Sequence, residues 1–162
     1  MGRSRAKTTY DWSTYKYCVD NWDNLTKYCT NSDYGKDGFT DNKTVLDPED
    51  DATTANWGGA WRMPTTAEQQ ELIDNCKWNW TTQNGVNGYK VTGPNGNSIF
   101  LPAAGWMSGG TLYSAGSGSV YWSSSLYTDN LGCADCVLFN SGGVDRFGND
   151  RGRGLSVRPV CP

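Results

Sequence analysis

The last forty residues of this 162-residue chain, Ser123 to Pro162, contain no Trp, Met, Lys, Gln or Glu. The first 122 hold 24 residues of these types: eight Trp, seven Lys and three each of Met, Gln and Glu. At the upstream rate the tail would hold about eight, so its composition differs from that of the body. Its pattern reads as four short strands: Val120 to Leu126, Ala134 to Asn140, Val144 to Phe147 and Leu155 to Val160. Turn-forming stretches, 128–132 and 148–154, lie between them. The five absent types share one property: none is reached by altering only the adenines of an Asn codon. Two readings of the residues stand side by side. One is a small polar β region that avoids long side chains. The other is an Asn-rich template rewritten at its adenines.

The length is that of one domain able to bury a core without staples. Charged residues are 19% and the net charge is −3, which leaves no basic footprint for nucleic acid. No apolar run approaches the ~18 residues that span a bilayer. Residues 1–16 lack the apolar core of a signal peptide. There is no His, which removes the usual general base and the commonest metal ligand together. No catalytic residue, metal or cofactor is expected. The six Cys, at 18, 29, 76, 133, 136 and 161, are an even set that favours an oxidising compartment, with reduced buried thiols as the alternative.

Residues 1–10 are basic and polar and read as a frayed or extraneous end, so the domain is expected over 11–162. Tyr15, Tyr17 and Trp22 suit a short strand and loop, and Cys18 and Cys29, eleven apart across that loop, are expected to pair. In Asp47-Pro48-Glu49-Asp50-Asp51, Asp47 is expected to cap a short helix with Pro48 in its first position. That helix should stop at Gly58-Gly59. A calcium loop is disfavoured, because the spacing lacks the Gly and terminal Glu of an EF-hand. Thr65-Thr66-Ala67-Glu68 is a capping box opening a second helix, with Leu72, Ile73 and Cys76 as its buried stripe. Beyond it, Trp78-Asn79-Trp80-Thr81-Thr82 alternates with period two, and 89–92 and 98–101 flank a hairpin turn. Residues 107–119, with four Gly and four Ser, read as a loop. Two helices followed by short antiparallel strands define an α+β domain.

Three stretches carry a resemblance. Trp57 to Thr65 with Glu68 resembles the R-L-P-T-E-A-E-W helix start of formylglycine-generating-enzyme-like C-type lectin folds. Tyr121 to Ser125 resembles the central strand of that fold, and Gly154 to Cys161 its closing G-F-x-V-R-P-V strand. The run from Thr44 to Phe100, with LDPEDDATTANWGG, LIDNC and the onset of NGYKVTGPNGNSIFLPAAG, resembles the Fibrobacter succinogenes major paralogous domain of gut bacteria. The fold this implies is a C-type lectin fold, two helices packed on short, mostly antiparallel twisted strands with long loops. Members of that family include variable proteins of diversity-generating retroelements, in which reverse transcription misreads adenines near the end of the gene.

The resemblance implies a division within a variable region, 123–162. Ala134, Val137, Phe139, Ser141, Val144, Arg146, Arg151, Gly154 and the Ser156-to-Cys161 run match the fixed frame. The ligand-binding, variable positions are then Asp135, Cys136, Leu138, Phe147, Gly148, Asn149, Asp150, Gly152 and Arg153, joined by Tyr127, Leu131, Gly132 and Cys133. It also implies a Cys76–Cys161 disulfide. Cys133-Ala134-Asp135-Cys136 is a C-x-x-C, but without a helix N-terminus or further ligands it reads as a product of diversification. No calcium-lectin triplet such as E-P-N or W-N-D is present. The function implied is a ligand-binding receptor module, extracellular, on a cell surface or on a phage virion, facing a protein or glycan on another surface. A non-diversified adhesion or carbohydrate-binding module and a formylglycine-generating-type oxidase are the alternatives.

Overall fold

The computed structural model describes residues 7–161. It is an α+β arrangement with few helices and mostly antiparallel strands in three small sheets. The helices are α1 (Ala52–Trp57) and α2 (Thr66–Asn75). The strands are β1 (Lys77–Gln83), β2 (Val86–Thr92), β3 (Ser98–Pro102), β4 (Trp106–Ser108), β5 (Thr111–Tyr113), β6 (Gly118–Leu126), β7 (Cys133–Asn140) and β8 (Gly143–Asp150). They pair antiparallel in the orders β1-β2-β3, β4-β5 and β6-β7-β8. No helix among the described residues is long and apolar enough to cross a membrane.

The first helix starts four residues later than its acidic run suggests. Asp51, not Asp47, is the cap: its carboxylate accepts from Thr53 N at 2.8 Å and Thr54 N at 3.0 Å, and from Met63 N at 2.8 Å. Asp47 instead closes a turn, its carbonyl accepting from Asp50 N and Asp51 N. Its carboxylate is held by Lys27 and Lys43, each at 2.6 Å. A buried cap tied to Met63 fixes α1 against the next segment, which a surface cap at Asp47 would not do. Gly58 ends α1 at φ 67°, as its freedom at positive φ predicts.

The second helix begins as the capping box requires. Glu68 N donates to Thr65 Oγ1 at 3.3 Å, and Thr65 N donates back to the Glu68 carboxylate at 2.8 Å. Leu72, Ile73 and Cys76 pack on the core while remaining half-buried. The buried residue of α2 is Gln69, whose amide donates to the Tyr121 and Trp122 carbonyls, both at 3.2 Å. A polar side chain thus pins this helix to β6.

The main core joins two sheets. Trp78 and Trp80 of β1 stand on one face, as their alternation predicts, and both meet Tyr89 and Phe139. Phe139 of β7 is 1% exposed and stacks on Tyr121 of β6, with Val91, Leu101 and Val137 around it. Edge-to-face packing dominates this cluster, the arrangement ring quadrupoles favour. The Asn84-Gly85 turn joins β1 to β2 with both residues at positive φ, the backbone of a two-residue hairpin.

Several segments depart from the sequence reading. Residues 107–119 are not structureless: the β4–β5 hairpin forms there, turning at Gly109. The expected strand Leu155 to Val160 is instead a line of single bridges, Tyr121 with Ser156 and Arg62 with Val160. Tyr15, Tyr17 and Trp22 form no strand; the segment from Asp11 to Leu46 holds only two short 3₁₀ turns and isolated bridges. The end expected to fray over 1–10 lies mostly outside the described residues, but Tyr10 is anchored, exchanging two backbone bonds with Gly109 at 2.9 and 2.8 Å. All six Cys are free thiols, so neither Cys18–Cys29 nor Cys76–Cys161 is bonded. Cys18 Sγ donates to Trp12 O and Cys29 Sγ to Asn31 O, each partner local and each thiol satisfied without the other.

Candidate functional site

The sheet β6-β7-β8 carries most of the residues expected to vary, and its register decides what each side chain faces. Neighbours along a strand point to opposite faces, and cross-strand partners share one. Val137 and Phe139, with their partners Arg146 and Val144, therefore point toward α2 and the aromatic core. Asp135 lies on this same inner face. It is buried, accepts from Thr66 Oγ1 at 2.8 Å, and has Arg146 Nη1 at 3.7 Å. Its side chain locks β7 to the start of α2 and is not outward-facing.

Cys136, Leu138, Asp145, Phe147 and Asn149 occupy the opposite face. Only part of it is open. Cys136 is 0% exposed, its thiol donating to Phe147 O at 3.2 Å, and Asn149 is also buried. Leu138 is half-buried and Phe147 is 37% exposed. The loop positions divide likewise. Leu131 is buried against Leu25, Cys29 and Leu126, and Gly132 and Gly152 are buried beside the segment around Trp12. Tyr127, Cys133, Gly148, Asp150 and Arg153 are half-buried. Tyr127 lies flat against Gly148, where an added Cβ would come within 2.4 Å of the ring.

The thirteen positions therefore do not form one outward surface. Leu131, Gly132, Asp135, Cys136, Asn149 and Gly152 are part of the packing, and Asp135 and Cys136 point in opposite directions. Sequence alternation marked Val137 and Phe139 as inward. It did not reveal that α2 and the N-terminal segment would cover the neighbours as well.

Cys133 and Cys136 stand three apart on a strand, which sends them to opposite faces. Burial pushes both thiols above the usual cysteine range, Cys136 the further, with Asp135 adding to the rise. A thiol held protonated is a poor nucleophile and a poor metal ligand.

Behind the outer face of β7 lies a cavity of about 220 Å³. Tyr15, Tyr17, Tyr28, Met63, Leu126, Ala134 and Val157 line it, together with two charged residues, Asp50 and Arg151. Their situations differ. The Asp50 carboxylate, 2% exposed, accepts from Tyr28 Oη at 2.6 Å, from Tyr17 Oη, from Lys27 Nζ at 2.6 Å and from Lys16 Nζ at 3.1 Å. Asp47 and Glu49 lie near enough to Asp50 to suit a cation, but the Lys27 ammonium already sits among the three, at 2.6 and 3.5 Å from Asp47 and Glu49. Arg151 is buried, and among the described residues its side chain has one hydrogen-bond partner, the carbonyl of Tyr28 at 3.0 Å from Nη1. A second concavity, a groove of about 460 Å³, runs past α2 and is lined by Trp57, Trp61, Leu72, Trp78 and Arg158. Trp57 and Trp61 meet edge-on at 5.4 Å and are 62% and 40% exposed.

These features define an α+β fold with a packed aromatic core, the Tyr-lined cavity and the groove past α2. No protein-family model, curated protein or solved structure matches the chain. Sequence reading missed both concavities. The density of Tyr before residue 30 was the one available signal for the first, and the paired Trp57 and Trp61 for the second.

Proposed function

We propose that the protein is a ligand-binding receptor module with a C-type lectin fold, its late segment diversified by a retroelement and displayed on a cell surface or virion. The observation that carries this reading is the contrast between Phe139 and Phe147. The first is sealed among Trp78, Trp80, Tyr89 and Tyr121, all contributed from upstream of residue 123. The second stands on the other face of the sheet, open to a partner, in the same forty residues. A body that completes its core from upstream rings tolerates change in the side chains that lie outside it. The contact set is narrower than the whole tail: Phe147, Leu138, Tyr127 and Arg153, aromatic, apolar and Arg groups of the kind that anchor interfaces. The ligand is a protein or glycan presented on another surface.

The test is the DNA beside the gene. An Asn-codon-rich copy of codons 123–162 with a reverse transcriptase gene supports diversification; absence of both removes it. The exposed Trp57–Trp61 pair favours a second reading, a non-diversified adhesion module that stacks a sugar face in the α2 groove. Quenching of tryptophan fluorescence by one glycan, lost in Trp57→Ala and unaffected by Phe147→Ala, would select that reading over the first.

A further inference from the structure

The second charged residue of the Tyr-lined cavity has no counterpart. Arg151 is 8% exposed, and its Nε and Nη2 have no hydrogen-bond partner among the described residues. No ion pair to it forms among the described residues. A guanidinium cannot shed its charge, and a buried charge is tolerated only when it is paired. The Nη1 bond to Tyr28 O and the Tyr15 ring, 5.2 Å from the guanidinium carbon, hold the group in place but neutralise nothing.

Which atoms are free is informative. Nε and Nη2 form one straight edge of the guanidinium, two parallel N–H groups at the spacing of two carboxylate oxygens. Among the described residues the one carboxylate lining the cavity is Asp50, and its oxygens already take two tyrosine hydroxyls and two lysines. Those lysines are in turn committed to acids, so the cavity offers one uncompensated positive charge. The remaining walls are largely apolar or aromatic: Tyr15, Met63, Leu126, Ala134 and Val157. Its 220 Å³ exceeds the about 150 Å³ in which a benzene ring is accommodated.

We propose that this cavity binds the carboxylate of a small aromatic or apolar acid: the Arg151 Nε–Nη2 edge, which has no surface open to water in this structure, turns onto the acid as it enters, and the carbon skeleton rests against Tyr15 and Met63. A single guanidinium edge against largely apolar walls suits a monoanion with an apolar body better than a phosphate. The acid is either a free small molecule or the C-terminal residue of a peptide; both present the same group. The site is independent of the receptor reading, because Tyr127, Leu138, Phe147 and Arg153 do not line it.

Calorimetric titration of the full chain with benzoate, N-acetylphenylalanine, benzamide and inorganic phosphate tests the proposal. Saturable one-to-one binding of benzoate or N-acetylphenylalanine is expected, with none for benzamide or phosphate; the preferred acid distinguishes free ligand from peptide end. Arg151→Lys keeps the charge but loses the flat fork, and should weaken binding at least about tenfold. Ala134→Leu fills the cavity from β7 without touching Arg151 and should abolish binding while circular dichroism stays native. The proposal is overturned if neither acid saturates, if benzamide or phosphate binds as well as the acids, or if a folded Ala134→Leu binds unchanged. Should Arg151→Lys fail to fold, Ala134→Leu decides alone.

Discussion

Arg62 grips Glu68 with both prongs of its guanidinium, Nη1 to Oε2 at 2.7 Å and Nη2 to Oε1 at 2.5 Å. The same carboxylate accepts from Thr65 N, so one side chain both caps α2 and ties it to the segment entering it. These bonds, the Arg62 pair first, lower the Glu68 pKa from 4.5 to about 2. A carboxyl depressed in the folded state stabilises above its unfolded pKa, and that contribution is lost as pH falls toward the folded value. Stability should therefore decline as pH drops through the window from 4.5 to about 2. Glu68→Ala should lose about 1 kcal/mol near neutral pH, the usual worth of a cap, and show less of that decline. Urea melts of both proteins at a series of pH values between neutral and 2.5 measure this, and parallel curves would contradict it.

Phe139 and Phe147 should separate cleanly in stability. Phe139→Ala empties a site enclosed by four aromatic rings and should cost about 3–5 kcal/mol. Phe147→Ala should cost under about 1 kcal/mol, because the ring is already partly in water. Equilibrium denaturation of the two variants gives both numbers directly.

Gly148 and Tyr127 should be coupled. A Cβ at 148 would meet the Tyr127 ring at 2.4 Å, so Gly148→Ala should destabilise by about 1–3 kcal/mol. Removing the ring in Tyr127→Ala should relieve most of that cost. A double-mutant cycle with no interaction energy would show that the ring moves aside freely.

Thiol reactivity should rank by burial. Cys161 is exposed and should be alkylated first in the native protein. Cys133, half-buried with its pKa raised by burial, should follow slowly. Cys136, with no exposed surface and a pKa raised further, should react only on unfolding. Timed iodoacetamide labelling with peptide mass mapping reads the order.

What the sequence disclosed was local. The capping box at Thr65–Glu68, the alternation of Trp78 and Trp80, and the inward pair Val137 and Phe139 each depend on residues a few positions apart. The failures share a different cause. Whether Asp135 faces solvent depends on Thr66, 69 positions away, and whether Arg151 has a partner depends on Tyr28, 123 away. Asp47 looked like a cap because nothing nearby in the chain says that the distant Lys27 will join Lys43 in claiming it. Spacing predicts periodicity well and cover poorly, and the site is a matter of cover.

The bond from Arg151 to the Tyr28 carbonyl also sets a schedule. The segment from Asp11 to Leu46 has no helix longer than one turn, and its anchors include Ser125, Leu126, Leu131 and Arg151. Synthesised before the stretch that holds those anchors, it must wait for that stretch before it can settle. A newborn chain whose tail no longer fits would leave that earlier segment loose and open to proteases, so each copy is inspected by a part of itself before it is put to use.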